Sequence, residues 1–174
     1  IEMYDVIIVG AGPAGLFSAY ELTKKNKNLK ILLIDKGKFA KNRCCPVAEN
    51  KKECVNCKPC QILSGYGGAG TFSDGKLNTL IKDSNNRMKK VFKTFVECGA
   101  PEDIMYSYKP HIGTDKLRNV IINMRNKIIN MGGTFLYNST LTNLVVENNE
   151  LKKIIINDNV EIECNALVLA IGHS

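Results

Sequence analysis

The segment Asp5-Val-Ile-Ile-Val-Gly-Ala-Gly-Pro-Ala-Gly15 begins as a short apolar, β-branched run and ends in a glycine-rich turn. Unbroken apolar runs of this length belong to strands covered on both faces, as in a parallel sheet. From Pro13 the pattern turns helical, with Leu16, Ala19, Tyr20 and Leu22 on adjoining faces and a Lys/Asn-rich stop from Lys24 to Asn28. A second apolar run, Ile31-Leu-Leu-Ile34, closes on Asp35. Strand, turn, helix and strand in this order predict a βαβ unit with a right-handed crossover. Gly10, Gly12 and Gly15 fit G-x-G-x-x-G directly after the strand: one for the tight turn, one for close approach of a pyrophosphate, one for helix–strand packing. Helix-start amides and the helix dipole favour phosphate there. Gly10, Ala11, Gly12, Pro13, Ala14 and Gly15 are thus the candidate phosphate cradle. Asp35, about 20 residues beyond Gly15, and the adjoining Lys36 are the candidate ribose contact.

Residues 36 to 80 show no sustained periodicity, and loops this long inside a domain are usually functional. They hold a cysteine-rich loop, residues 40 to 62, followed by Gly65-Tyr-Gly-Gly-Ala-Gly70. Asn85 to Cys98 reads as a helix with Met88, Val91, Phe92 and Phe95 on one face, ended by Gly99-Ala-Pro101. Another follows Thr114, the expected N-cap, carrying Leu117, Val120, Ile121, Met124 and Ile128 on one stripe and stopping at Gly132-Gly133. Thr134 to Tyr137, Leu141 to Glu147, Leu151 to Asn157 and Val160 to Cys164 read as short strands of an antiparallel meander, residues 134 to 164. Asn148-Asn149 and Asp158-Asn159 are its expected tight turns. Ala166-Leu-Val-Leu-Ala-Ile-Gly172 returns to the doubly buried strand type.

The composition suits this α/β plan. The 174 residues suggest one domain, able to bury roughly 68–70% of the unfolded surface without staples. Apolar residues at 44% and charged residues at 24% exclude a disordered or collagen-like chain. No apolar run approaches the ~18 residues of a membrane span, and no secretory leader precedes the first strand. A net charge of +7 would permit nucleic acid as a partner. The basic clusters at Lys24 to Lys58 and Lys82 to Lys93 lack interleaved aromatics to stack bases, so they read as a solvated face. Seven cysteines, an odd number with five crowded between Cys44 and Cys60, point to a reducing, cytoplasmic setting and to metal or redox chemistry, not to a disulfide framework.

A Rossmann start, a long connection, a meander and a strand ending Leu169-Ala-Ile-Gly172 together resemble the FAD half of glutathione-reductase-like flavoproteins. Those proteins often carry Ala-Thr-Gly at the last position, where this chain has Ile171. Gly67-Gly-Ala-Gly-Thr-Phe-Ser-Asp-Gly-Lys-Leu77 and Lys109-Pro-His-Ile-Gly-Thr-Asp-Lys-Leu-Arg118 are similar to two long blocks of a family of FAD-dependent dehydrogenases, NAD(P)/FAD-dependent oxidoreductases mostly without an assigned substrate. Members of that family are longer, so the resemblance implies the N-terminal part of a larger protein. It further implies that Gly10, Gly12 and Gly15 face the pyrophosphate, Asp35 the adenosine ribose and Leu141 the adenine through its backbone. Ala170 and Gly172 would close over the nucleotide. Gly68, Gly70, Thr71, Ser73 and Lys76 would lie towards the ribityl chain and flavin ring, Lys76 offering a positive charge to the reduced ring.

The cysteines Cys44, Cys45, Cys54, Cys57 and Cys60 admit three readings. The two-residue gaps let Cys54, Cys57 and Cys60 converge on one metal with Cys45 or Cys44 as a fourth ligand, fitting zinc or an iron–sulfur cluster. Alternatively a C-x-x-C pair beside a flavin passes electrons as a disulfide, or the thiols are uncommitted. Cys98 and Cys164 read as core. Of the two histidines, His111 reads as structural, and His173 is better placed for function by following the last strand.

With the resemblance, the residues imply an FAD-binding oxidoreductase, a dehydrogenase, for which a cysteine-ligated metal or redox thiols in the loop would offer an electron relay. Its partners would be a small-molecule substrate or electron carrier, including NAD(P)H. Two other classes compete: a non-redox nucleotide-binding protein such as a tRNA-modifying or thiazole-forming relative, and a zinc-stabilised interaction module. No Ser/His/Asp order, carboxylate pair or HExxH supports a hydrolase.

Overall fold

Strand β1 (Met3–Val9) leads through helix α1 (Pro13–Lys25) to β2 (Ile31–Ile34), the predicted βαβ unit, in a computed structural model that describes residues 2–50, 52–77 and 82–172. After β2 come the short helix α2 (Pro46–Asn50), helices α3 (Arg87–Glu97) and α4 (Thr114–Asn130), and strands β3 (Thr134–Leu136), β4 (Leu141–Glu147), β5 (Glu150–Ile156) and β6 (Val160–Leu169). One six-stranded sheet runs β3-β2-β1-β6-β5-β4. The β3-β2-β1-β6 side is parallel, and β6-β5-β4 is antiparallel. The fold is thus an α/β Rossmann-like domain with a parallel sheet and an antiparallel extension.

Alternate side chains of β1 and β2 serve two cores. Ile8, Ile31 and Leu33 join Leu16, Ala19 and Tyr20 of α1 and Leu117, Val120, Ile121, Met124 and Ile128 of α4. Ile7, Val9, Leu32 and Ile34 join Ile154, Ile156, Ile162 and Cys164 of the meander. Each such side chain, fully buried, contributes roughly 1.5–3 kcal/mol over an exposed one. This explains the unbroken apolar runs: helices cover one face and antiparallel strands the other.

Four expectations are corrected. Thr134–Leu136 pairs parallel with β2 and stands outside the meander. The reason lies in the next residues: Asn138 N–H donates to the Gly37 carbonyl at 3.0 Å and Ser139 N–H to that of Asp35 at 2.9 Å, so the chain crosses the end of β2 instead of folding back. Val160 to Cys164 and Ala166 to Leu169 form one continuous strand, β6, which pairs with β5 up to Glu163 and with β1 from Glu163 onward. The second half of β6 pairs with β1 alone, and its faces are not both covered: Leu167 and Val168 are half-buried and Leu169 is 56% exposed. The second hairpin turns at Asn157-Asp158, both at positive φ, one residue earlier than expected.

The fourth correction concerns the N-cap of α4. Thr114 is the first helical residue and Gly113 the cap, because the Thr114 hydroxyl donates to the Ser73 carbonyl at 2.6 Å instead of capping its own helix. Helix α3 starts at Arg87, where the Asp83 carboxylate accepts the Arg87 and Met88 amides at 2.7 and 2.9 Å. Among the described residues no helix is long and apolar enough to cross a membrane.

Candidate functional site

The turn after β1 is built by close contact. Gly10 has a φ of 106°, and a Cβ on it would overlap the Ala170 carbonyl oxygen beyond β6. A Cβ on Gly15 would overlap the Gly10 carbonyl oxygen. Gly12 differs: a Cβ there would meet no heavy atom within 4 Å, so its side faces open space. Pro13 occupies the first helical turn, where its missing N–H costs nothing, and no acidic side chain follows in that turn. The Ala14 and Gly15 amides are among those that α1 leaves without an intrahelical acceptor. The arrangement presents positive helix-end dipole and bare backbone to one opening, as a phosphate requires.

Asp35, only 7% exposed, accepts the Ala11 amide on Oδ2 and the Gly37 amide on Oδ1, each at 2.7 Å. The carboxylate thus ties the turn to the end of β2 and keeps lone pairs for a further donor. Lys36 beside it is half-buried. Leu141, half-buried at the start of β4, follows the segment that crosses Asp35 and Gly37. Ala170 N–H donates to the Val9 carbonyl at 2.8 Å, which brings the end of β6 beside the turn. Gly172 is exposed at a φ of 64°, and His173 lies outside the described residues.

The glycine-rich block packs directly on this turn. The Gly67 amide donates to the Ala11 carbonyl at 2.8 Å, and a Cβ on Gly68 would come within 3.2 Å of Gly12 and Pro13. The two long blocks also pair with each other: Leu77 N–H donates to Pro110 and Ile112 N–H to Gly75, both at 2.9 Å, with Lys76 bridged to His111. Thr71 is buried, while Gly70 and Ser73 are exposed. Lys76 is exposed and ion-paired to Asp74 at 2.8 Å, which raises its pKa and offsets the charge expected to face a flavin.

Sequence reasoning missed Arg43. Its guanidinium is buried at 3% exposure and donates to the carbonyls of Gln61, Ile62, Tyr66 and Gly68 and to the Thr71 hydroxyl. Burial lowers its pKa to about 10, with Arg118 adding to that effect against Asp35; it stays charged at neutral pH. This one side chain clamps the cysteine-rich loop to the glycine block. A compositional signal existed: the chain has four arginines against twenty lysines. Three of the four, Arg43, Arg118 and Arg125, stack on aromatic rings, where a planar fork is not replaceable by an ammonium.

The structure does not gather Cys45, Cys54, Cys57 and Cys60 around one point. Among the described residues no three His, Cys, Asp or Glu side chains are gathered closely enough to hold a metal. Cys45 is buried, Cys54 exposed, and Cys57 and Cys60 intermediate, all as free thiols. Three of the loop cysteines have a local setting instead. Cys44 donates to Glu49 at 2.7 Å, Cys54 contacts the Asn56 amide oxygen at 3.7 Å, and Cys60 receives hydrogen bonds from the Leu63 and Ile62 amides. Those amides, with Arg43 nearby, hold the Cys60 pKa below its ordinary value. A cavity of about 720 Å3 opens at the other end of β1, lined by Met3, Leu151, Lys153, Glu163 and Cys164. It stands away from the strand ends where α/β sheets bind ligands.

The chain matches the pyridine nucleotide-disulphide oxidoreductase family over residues 4–174. An uncharacterised protein of Clostridium beijerinckii is 39% identical over 168 residues, 97% of this chain and 31% of that protein. The chain thus spans about a third of that relative. Similar solved structures include THI4 of Thermovibrio ammonificans, with a TM-score of 0.60 and 19% identity over 99% of this chain and 58% of that one. L-proline dehydrogenase from P. horikoshii gives a TM-score of 0.63 and 15% identity over 97% of this chain and 53% of that one. These two likenesses are of fold. The match over nearly the whole chain, on a βαβ unit with its glycine turn and acidic strand end in place, makes this chain a member of the pyridine nucleotide-disulphide oxidoreductase family, the FAD-dependent NAD(P)/FAD oxidoreductases.

Proposed function

We propose that this chain binds FAD at the Gly10–Gly15 turn and serves a flavoprotein dehydrogenase. The carrying observation is the open side of Gly12, set between the α1 amides and Gly68 of the glycine block. On this reading the turn holds the pyrophosphate, Asp35 accepts a ribose hydroxyl on its remaining lone pairs, and Lys36 adds charge beside it. Leu141 offers backbone to the adenine, and Ala170 and Gly172 close over the nucleotide. Gly68, Gly70, Thr71, Ser73 and Lys76 line the way to the flavin ring. The flavin, when bound, supplies hydride and electron transfer, and this chain supplies grip and orientation.

Family membership favours NAD(P)H as the electron donor and a small molecule or electron carrier as the other partner. Seven free cysteines suit a reducing compartment, so we place the protein in the cytoplasm. The C-x-x-C spacing of Cys57 and Cys60, with the lowered pKa of Cys60, favours a redox dithiol as a second electron carrier.

The test is reconstitution. The full chain, purified without oxygen, is mixed with FAD, and flavin fluorescence and the visible spectrum are followed. Saturable quenching with one flavin per chain, bleached by NAD(P)H or dithionite, is the expected result. A chain that takes up no FAD overturns the proposal.

A further inference from the structure

Arg118 stands out among the charged side chains around the glycine block. Its Nε donates to the Thr71 carbonyl at 3.1 Å, and its guanidinium carbon lies 5.2 Å from the Phe72 ring centroid. Arg43 lies 4.9 Å from the same ring. The ion pairs among the described residues all use lysines, so neither guanidinium is ion-paired to a carboxylate there. Arg43 spends all its donor nitrogens on the carbonyls and hydroxyl that it clamps. Arg118 does not: beyond Nε, its two terminal amino groups meet no acceptor among the described residues.

We infer that Arg118, with the charge of Arg43 behind the same ring, captures an oxyanion, carboxylate or phosphate, at the exposed Ala69–Ser73 edge of the glycine block. Three physical reasons support this. Two like charges at one ring repel, Asp35 acts on Arg43 without pairing to either fork, and an anion at the ring relieves that repulsion. A fork held at Nε and against a ring has already lost its rotamer freedom, so capture costs little further entropy. Half-burial strengthens each charge-assisted bond relative to water, and the planar fork matches a carboxylate or phosphate edge bidentately. Gly68, in the same block, abuts Gly12 and Pro13, so the anion is either the cofactor's own phosphate or an acidic group of the substrate. The inference rests on the flavin reading for that choice of source, not for capture itself.

The arginine 15Nε resonances of the full chain are followed during titration with inorganic phosphate and, separately, acetate, before and after loading with FAD. A saturable shift of the Arg118 signal, with exposed Arg87 unmoved, is expected in the unloaded chain. Arg118→Lys keeps the charge without the fork and loses about tenfold or more in affinity, the worth of one charge-assisted hydrogen bond; Arg118→Gln abolishes saturation. A response that disappears on FAD loading assigns the anion to the cofactor, and one that persists assigns it to the substrate. An Arg118 signal that neither anion moves saturably, or an Arg118→Gln chain that binds both as before, overturns the inference. A chain that takes up no FAD while Arg118 still responds sinks the flavin reading alone.

Discussion

The Asp35 carboxylate accepts the Ala11 amide at 2.7 Å across 24 residues, joining the end of β2 to the glycine turn after β1. Its other oxygen takes the Gly37 amide at the same distance. Hydrogen bonds to a charged group contribute about 1.5–3 kcal/mol each. Asp35→Asn removes the charge and turns an NH2 towards one of the two amides. The variant is expected to unfold at lower urea concentration, by about 2 kcal/mol, and to bind FAD more weakly. Equal midpoints for the variant and the parent chain would show that Asp35 does not hold the turn.

Gly10 and Gly12 separate folding from binding. Gly10→Ala places a Cβ against the Ala170 carbonyl at a positive φ, and should destabilise the chain by more than about 1 kcal/mol. Gly12→Ala meets open space, so its stability should stay within about 0.5 kcal/mol of the parent. Its methyl group nevertheless enters the space proposed for the pyrophosphate, so FAD affinity should fall. Thermal melts and flavin fluorescence on the two variants decide this; a Gly12→Ala chain that binds FAD normally removes the pyrophosphate from the turn.

What was legible in the sequence is what is local. The βαβ unit was readable because its two apolar runs, its turn and its acidic end follow one another within one supersecondary unit. Thr134–Leu136 reads as part of the meander, and pairs with β2 instead, because a strand's pattern carries its burial but not the direction of its partner. That direction was set by Asn138 and Ser139 reaching back to Gly37 and Asp35. Cysteine spacing leaves its readings open for a similar reason: it fixes how far thiols can reach, not where they point, and here Cys44 donates to Glu49 while the Leu63 and Ile62 amides face Cys60. Arg43 was invisible because all but one of its partners are backbone carbonyls, which every sequence possesses.

Arg43 makes the segment from Gln61 to Thr71 one unit, and its removal should release that segment. Arg43→Met keeps the apolar stem but strands the buried carbonyls of Tyr66 and Gly68, each at about 1–3 kcal/mol, and frees the partly buried ones of Gln61 and Ile62. Amide hydrogen exchange should accelerate from Gln61 to Thr71, while β1 and β2 keep their protection. Uniform acceleration over the whole chain would instead mean that Arg43 supports the global fold and not this local tie.

The thiols should react in an order that exposure alone does not give. Cys60 has its thiolate stabilised by the Leu63 and Ile62 amides and by Arg43, which lowers its pKa. Cys44 is exposed, yet its hydrogen bond to Glu49 favours the neutral thiol and raises its pKa. Burial raises those of Cys98 and Cys164. The thiolate is the nucleophile, so with iodoacetamide the rise in rate with pH should come at lower pH for Cys60 than for an ordinary thiol, and at higher pH for Cys44. Cys98 and Cys164 should stay unlabelled until the chain unfolds. Peptide mass spectrometry across pH 6 to 9, a range chosen to bracket about 8.5 for a free thiol, reads all four together. Cys44 labelling ahead of Cys60 throughout would show that exposure, not the turn amides, governs this loop, and would remove the support for Cys60 as a redox thiol.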